Sequence, residues 1–176
     1  MIVDDFLDHR SNVRRSVEHK DVRALVMHYP NSPRATAFNI RNYFNQTLRY
    51  ASAHYVVGID GSIVHMVPED EKAYHCGAWV YRDGVVEKLG PDPNLTTIGI
   101  EMCHKYKNGR LEEATLFYAH LLAAHLCFKY DLNPISDIYR HHDITGKICP
   151  LWWVQHVDEF VNFRLCVKRA MTGEAA

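Results

Sequence analysis

Arg23-Ala24-Leu25-Val26-Met27-His28-Tyr29 is the stretch that decides the fold. Leu25, Val26 and Met27 form a short continuous apolar run, stopped by Pro30-Asn31-Ser32-Pro33. Such a run is the signature of a buried strand, covered on both faces. His28 stands at its C-terminal end, the place where sites gather in open α/β sheets.

Working outward, Ala37, Phe38, Ile40, Tyr43, Phe44 and Leu48 recur at helical spacing, so a helix is expected over 34–50. Asn31 or Ser32 could cap it, with Pro33 in the first turn. Asp60-Gly61 lies between two β-rich runs, 54–59 and 62–68, and reads as a hairpin turn. Residues 69–95 carry Gly77, Gly84, Gly90, Pro91 and Pro93 without periodicity, which suggests an irregular segment forming one wall of a groove. Thr96–Cys103 reads as a second buried strand with one charge, Glu101. Helices are expected over 111–130 and 152–171.

Residues 1–21 are polar and read as an N-terminal arm or short helix, and 172–176 as a frayed tail. The order strand, helix, hairpin, loop, strand, helix, site loop, helix gives one α/β (α+β) domain over 22–171. Its core is a central mixed sheet flanked by helices.

The composition is that of an ordinary globular domain, and a net charge of −1 offers no electrostatic case for nucleic acid as partner. No run of about eighteen apolar residues exists, so no membrane insertion is expected. The acidic N-terminus lacks the apolar core of a signal peptide, so the chain is expected to be cytoplasmic as synthesised. Five cysteines without a CxxC pair point to reduced thiols.

The chemistry concentrates in Arg140-His141-His142-Asp143-Ile144-Thr145-Gly146-Lys147-Ile148-Cys149-Pro150. Gly146 and the closing proline argue against regular helix or central strand there. Cys149 follows His141 by eight residues, so a loop could fold both onto one ion. His28 is a natural third ligand. Two imidazoles and a thiolate favour zinc over calcium or magnesium. An open fourth position would let zinc polarise a carbonyl and acidify water, the chemistry of amide hydrolysis. Glu101, on an apolar strand, has a pKa that burial should raise, as a proton handler requires. Lys147 would stand close enough to steady an oxyanion. Each has a plainer reading: His28 as a core histidine, Cys149 as an inert thiol, Glu101 as an ion-pair partner, Lys147 as a solvated lysine.

Five motifs occur in order: Val26-Met27-His28; Ser52-Ala53-His54-Tyr55-Val56-Val57 with Asp60-Gly61; Tyr74-His75-Cys76-Gly77; Ile98-Gly99-Ile100-Glu101; and His141 with Lys147-Ile148-Cys149-Pro150. Together they resemble the type-2 N-acetylmuramoyl-L-alanine amidases, which include amidase-type phage lysozymes, autolysins and peptidoglycan recognition proteins. The resemblance covers about residues 22–160. It implies zinc on His28, His141 and Cys149, and Glu101 with Lys147 as the catalytic pair. The bond cut would be the amide joining N-acetylmuramic acid to L-alanine in peptidoglycan or muropeptides.

Departures from the family pattern fall on groove walls: Tyr29-Pro30 after the first ligand, Tyr74-His75-Cys76-Gly77 for Trp-His-Ala-Gly, and Leu151 after Cys-Pro. Ala53 stands where some phage members carry a catalytic tyrosine. His54 and His75 are candidates for substrate contact or for internal hydrogen bonds. His142 competes with His141 as ligand. Rival functions are a peptidoglycan-binding module that does not cut, and a thiol hydrolase using Cys149 with His141. The biological setting divides between an endolysin reaching the wall after release and an enzyme trimming recycled muropeptides. Oligomeric state stays open.

Overall fold

The structure is a computed structural model that describes residues 2–9, 13–18, 21–46 and 49–173. In chain order the elements are β1 (Ile2–Asp4), β2 (Arg14–Glu18), β3 (Ala24–His28), α1 (Ala37–Phe44), β4 (Tyr55–Val57), β5 (Ile63–His65) and β6 (Glu71–Ala73). They continue with α2 (Val85–Leu89), a 3-10 turn (Pro93–Leu95), β7 (Thr97–Met102), α3 (Glu113–Lys129), β8 (Ile138–Arg140), α4 (His141–Thr145), α5 (Leu151–Gln155) and α6 (Val157–Thr172). The main sheet has the order β1-β5-β4-β7-β3-β8, and β2 pairs with β6 apart from it.

The central strand is the opening stretch. β3 pairs in parallel with β7 on one side and with β8 on the other. β4 runs parallel to β7 and antiparallel to β5, so the sheet is mixed. The β4–β5 hairpin turns where Asp60-Gly61 predicts: Asp60 Oδ1 accepts from the Ser62 N–H, and Gly61 takes φ +82°, a left-handed value that glycine adopts without strain.

Side chains alternate along the central strands. Leu25, Met27, Ile98, Ile100 and Met102 join Leu122, Leu126, Phe160 and Phe163 in one core under α3 and α6. Each such side chain, fully buried, stabilises the fold by about 1.5–3 kcal/mol. On the opposite face Ala24 and Val26 pack with Val85, Leu89 and Ile144, while Val56 and Val64 pack with Ile40 and Phe44. The polar residues His28 and Glu101 at the end of that face supply the first half of the site.

Several expectations change. Within the N-terminal residues read as an arm or short helix, Ile2–Asp4 pairs in parallel with β5, and Arg14–Glu18 pairs with β6. The first helix is shorter than expected: Thr36 is its cap, and the Thr36 and Asn39 side chains exchange bonds with each other's backbone N–H. Leu48 lies outside the described residues. The irregular stretch 69–95 contains β6, α2 and the 3-10 turn. The last helix is divided at His156. The site segment is not all loop: Arg140 ends β8, and His141–Thr145 form α4.

Candidate metal centre

Sheet register supplies the first half of the site. His28, the last residue of β3, is paired with Glu101 on β7, so both side chains leave the same face at the same level. β8 supplies the other half. It ends at Arg140, and His141 opens α4. Asp143 holds this junction: its Oδ2 accepts from the Arg140 N–H at 2.9 Å, and its carboxylate pairs with the Arg140 guanidinium at 2.6 Å. Arg140 also donates to the Trp153 carbonyl, tying α4 to α5. Gly146 closes α4 in the left-handed conformation, and the chain then doubles back. The His142 N–H donates to the Cys149 carbonyl at 2.9 Å, which returns the thiol to the level of His141.

His28 Nδ1 stands 3.1 Å from His141 Nδ1 and 3.9 Å from Cys149 Sγ. All three residues are buried, and their ligand atoms lie within 4.8 Å of one another. Ligands of a tetrahedral zinc, with bonds of about 2.05 Å to nitrogen and 2.3 Å to sulfur, stand roughly 3.3 Å (N–N) and 3.6 Å (N–S) apart. The donor set fits that ion closely. His142 turns away: its Nδ1 faces the Lys147 carbonyl and its Nε2 accepts from Arg82.

The electrostatics point the same way. Burial holds the His28 imidazole well below its ordinary pKa, helped by His141, His75 and Lys147. Burial, with Lys147, lowers His141 to about 4. Both rings are neutral and keep lone pairs to offer. Burial pushes the Cys149 thiol up to about 12, and Glu101 adds to the shift. A thiolate at this position therefore needs a cation beside it.

Glu101 is 9% exposed, and burial raises its carboxyl to about 8 against the pull of Lys147. Its Oε2 is buried without a hydrogen-bond partner among the described residues. His28, His141, Cys149, Glu101, Lys147 and His75 all border one cavity of about 720 Å³. Tyr29, Tyr43, Tyr74 and Ile148 are among the other walls.

His54 does not border that cavity. It is fully buried, accepts from the Gly99 N–H with Nδ1 and faces the Glu71 carbonyl with Nε2. These bonds are internal, in line with the second of its two readings. His75 reaches the cavity, but its ring nitrogens face His28 and Thr97. The Thr97, Gly99 and Asn94 surroundings of His75 went unread in the sequence. Their signal was faint: Thr97, Gly99 and Glu101 alternate along a strand whose other positions are apolar.

Comparison with known proteins adds a second line. A profile of the family described as N-acetylmuramoyl-L-alanine amidase matches residues 18–152. The chain is 37% identical to N-acetylmuramoyl-L-alanine amidase BlyA of Bacillus subtilis (strain 168), over 92% of this chain and 45% of that protein. It is 36% identical to N-acetylmuramoyl-L-alanine amidase CwlL of Bacillus licheniformis, over 93% and 45% respectively. The chain thus spans about 45% of the length of these curated relatives. The catalytic domain of PlyG superposes with a TM-score of 0.78 at 21% identity, covering 97% of this chain and 95% of that one. The catalytic domain of XlyA gives 0.74 at 21%, covering 95% and 99%. The α/β fold, with its mixed sheet, is therefore shared with these structures.

Proposed function

The chain belongs to the N-acetylmuramoyl-L-alanine amidase family, and from that premise we propose that it is a zinc enzyme. It hydrolyses the amide between N-acetylmuramic acid and L-alanine, with the metal held by His28, His141 and Cys149. The observation that carries the reading is the convergence of three buried donors beside a buried carboxyl that has no partner among the described residues.

When bound, zinc polarises the scissile carbonyl and lowers the pKa of water toward about 7. The remaining work falls to the chain. Glu101, poised near neutrality, takes a proton as water adds to the carbonyl carbon and returns one to the leaving nitrogen as the C–N bond breaks. Lys147, exposed at the rim, sets positive charge beside the developing oxyanion. Tyr43, Tyr74 and Ile148 supply walls against which glycan or peptide can lie.

Two rivals fare worse. A binding module that does not cut has no use for a carboxyl buried without a partner at the centre of its groove. A thiol hydrolase needs an activated thiolate, whereas burial pushes Cys149 the opposite way.

The substrate is peptidoglycan or a soluble muropeptide. Among the described residues no helix is long and apolar enough to cross a membrane. Incubation with intact sacculi and, separately, with soluble muropeptides tests both bond and substrate form. New L-alanine amino termini identified by mass spectrometry are the expected product. Cleavage at any other bond, or at none, would remove the reading.

A further inference from the structure

We propose that His75 is a positioning residue that fixes the tautomer of His28 and so sets how tightly the centre holds zinc. The inference rests on the zinc reading above. His28 presents Nδ1 to His141 and Cys149. A neutral imidazole that ligates through Nδ1 must carry its proton on Nε2. That atom lies 3.1 Å from His75 Nδ1, and the two rings meet edge to face at 87°.

One placement of protons then satisfies these contacts. His28 Nε2–H donates to His75 Nδ1, so His75 carries its own proton on Nε2. That proton points at the Thr97 carbonyl and Oγ1, each 3.3 Å away. Thr97 Oγ1 gives its hydrogen to the Pro93 carbonyl at 2.7 Å and keeps lone pairs for His75. Remove the acceptor at His75 and the proton on His28 Nε2 is stranded in a buried site. The tautomer with the proton on Nδ1 is then favoured, and it closes the lone pair the metal needs.

The surroundings of His75 are built to keep it there. Asn94, 4% exposed, accepts the backbone N–H of both His75 and Cys76 with Oδ1, at 3.0 and 2.9 Å. Gly99 leaves the room: a Cβ at that position would stand 2.5 Å from His75 Cγ. A strand from one part of the fold and a 3-10 turn from another thus aim one ring at one ligand.

The test measures the zinc dissociation constant by competition with a chromogenic chelator, and the visible spectrum of the cobalt-loaded protein. The proteins are wild type, His75→Phe, His75→Gln and Gly99→Ala. The expected result is a ten- to hundredfold weaker affinity for His75→Phe, with an altered cobalt spectrum. His75→Gln, whose amide can both accept and donate, is expected to stay within a few-fold of wild type. Gly99→Ala touches no ligand, yet is expected to weaken binding in the same direction.

Wild-type affinity and spectrum in both His75→Phe and Gly99→Ala would overturn the proposal. A raised KM alone would then assign His75 to the substrate. If His75→Phe does not fold without metal, judged by circular dichroism, the His75→Gln and Gly99→Ala results decide. A wild-type chain that binds no zinc overturns the zinc reading itself, a distinct outcome.

Discussion

Along β3 and β7 two faces alternate residue by residue. Leu25, Met27, Ile98, Ile100 and Met102 face α3 and α6, and all five are 0% exposed. The intervening His28, Thr97, Gly99 and Glu101 face the centre and its supports. The contrast extends to two carboxylates. Glu69 bonds the hydroxyls of Tyr55 and Tyr130 and the Lys129 ammonium. Burial raises its pKa, but those partners pull it below the ordinary value. Tyr55 and the partly buried Tyr130 belong to the core under α3 and α6. Glu101, on the other face of the sheet, is left without a partner for Oε2 and rises to about 8. A carboxyl with three partners serves the fold, and one whose oxygen is left over is free to handle protons.

The sharpest way to break this comparison is to neutralise the unpartnered carboxyl. Glu101→Gln is expected to lower turnover by roughly 10²–10⁴-fold while leaving zinc content and thermal stability close to wild type. A variant that stays active, or one that unfolds, would mean that Glu101 belongs with the structural face. The mirror experiment is Met27→Ala, one residue before the proposed ligand His28 but pointing into the core. It should cost about 2–5 kcal/mol in denaturant unfolding, with zinc stoichiometry retained in the folded fraction. Loss of zinc without loss of stability would contradict the division between faces.

A third prediction concerns acid. His120 stacks on Phe163 between α3 and α6, and its Nε2 is buried without a hydrogen-bond partner among the described residues. Burial lowers its pKa to about 4 in the folded chain, against about 6.5 when unfolded. The unfolded chain therefore takes up the proton first. This contribution to stability is complete above about pH 6.5 and is lost progressively as pH falls toward 4. His120→Leu should regain about 1–3 kcal/mol near pH 4.5 and change little at pH 8. An equal effect at both pH values would show that packing, not protonation, is responsible. The smallest effect is expected for Tyr130→Phe, about 1 kcal/mol from one lost bond to Glu69. A measurable change in amide cleavage there would breach the separation of the two regions.

Much of this division was legible in the sequence. Leu25-Val26-Met27 and the run ending in Glu101 announce buried strands, and the ordered motifs point to His28, Glu101, His141, Lys147 and Cys149 as one group. Other parts were not legible for physical reasons. Ile2–Asp4 is three exposed residues whose strand conformation comes from its partner β5. Helix α4 is five residues long, too short for periodicity to show, and it depends on Asp143 and Gly146. His54 reads equally as a groove residue or an internal one, because Gly99 and Glu71 claim its ring from distant points in the chain. His75 presented the converse difficulty, since its partners His28 and Thr97 come together only through the sheet.

Zinc removal and return tests the central claim most directly. The protein is stripped with a chelator, reloaded with increasing zinc, and assayed at each step for bound metal and for release of L-alanine amino termini. The account predicts that activity disappears on stripping and returns in proportion to bound zinc, saturating at one ion per chain. Both properties should be lost together in Cys149→Ala. Full activity in metal-free protein, or zinc binding that leaves activity unchanged, would contradict it.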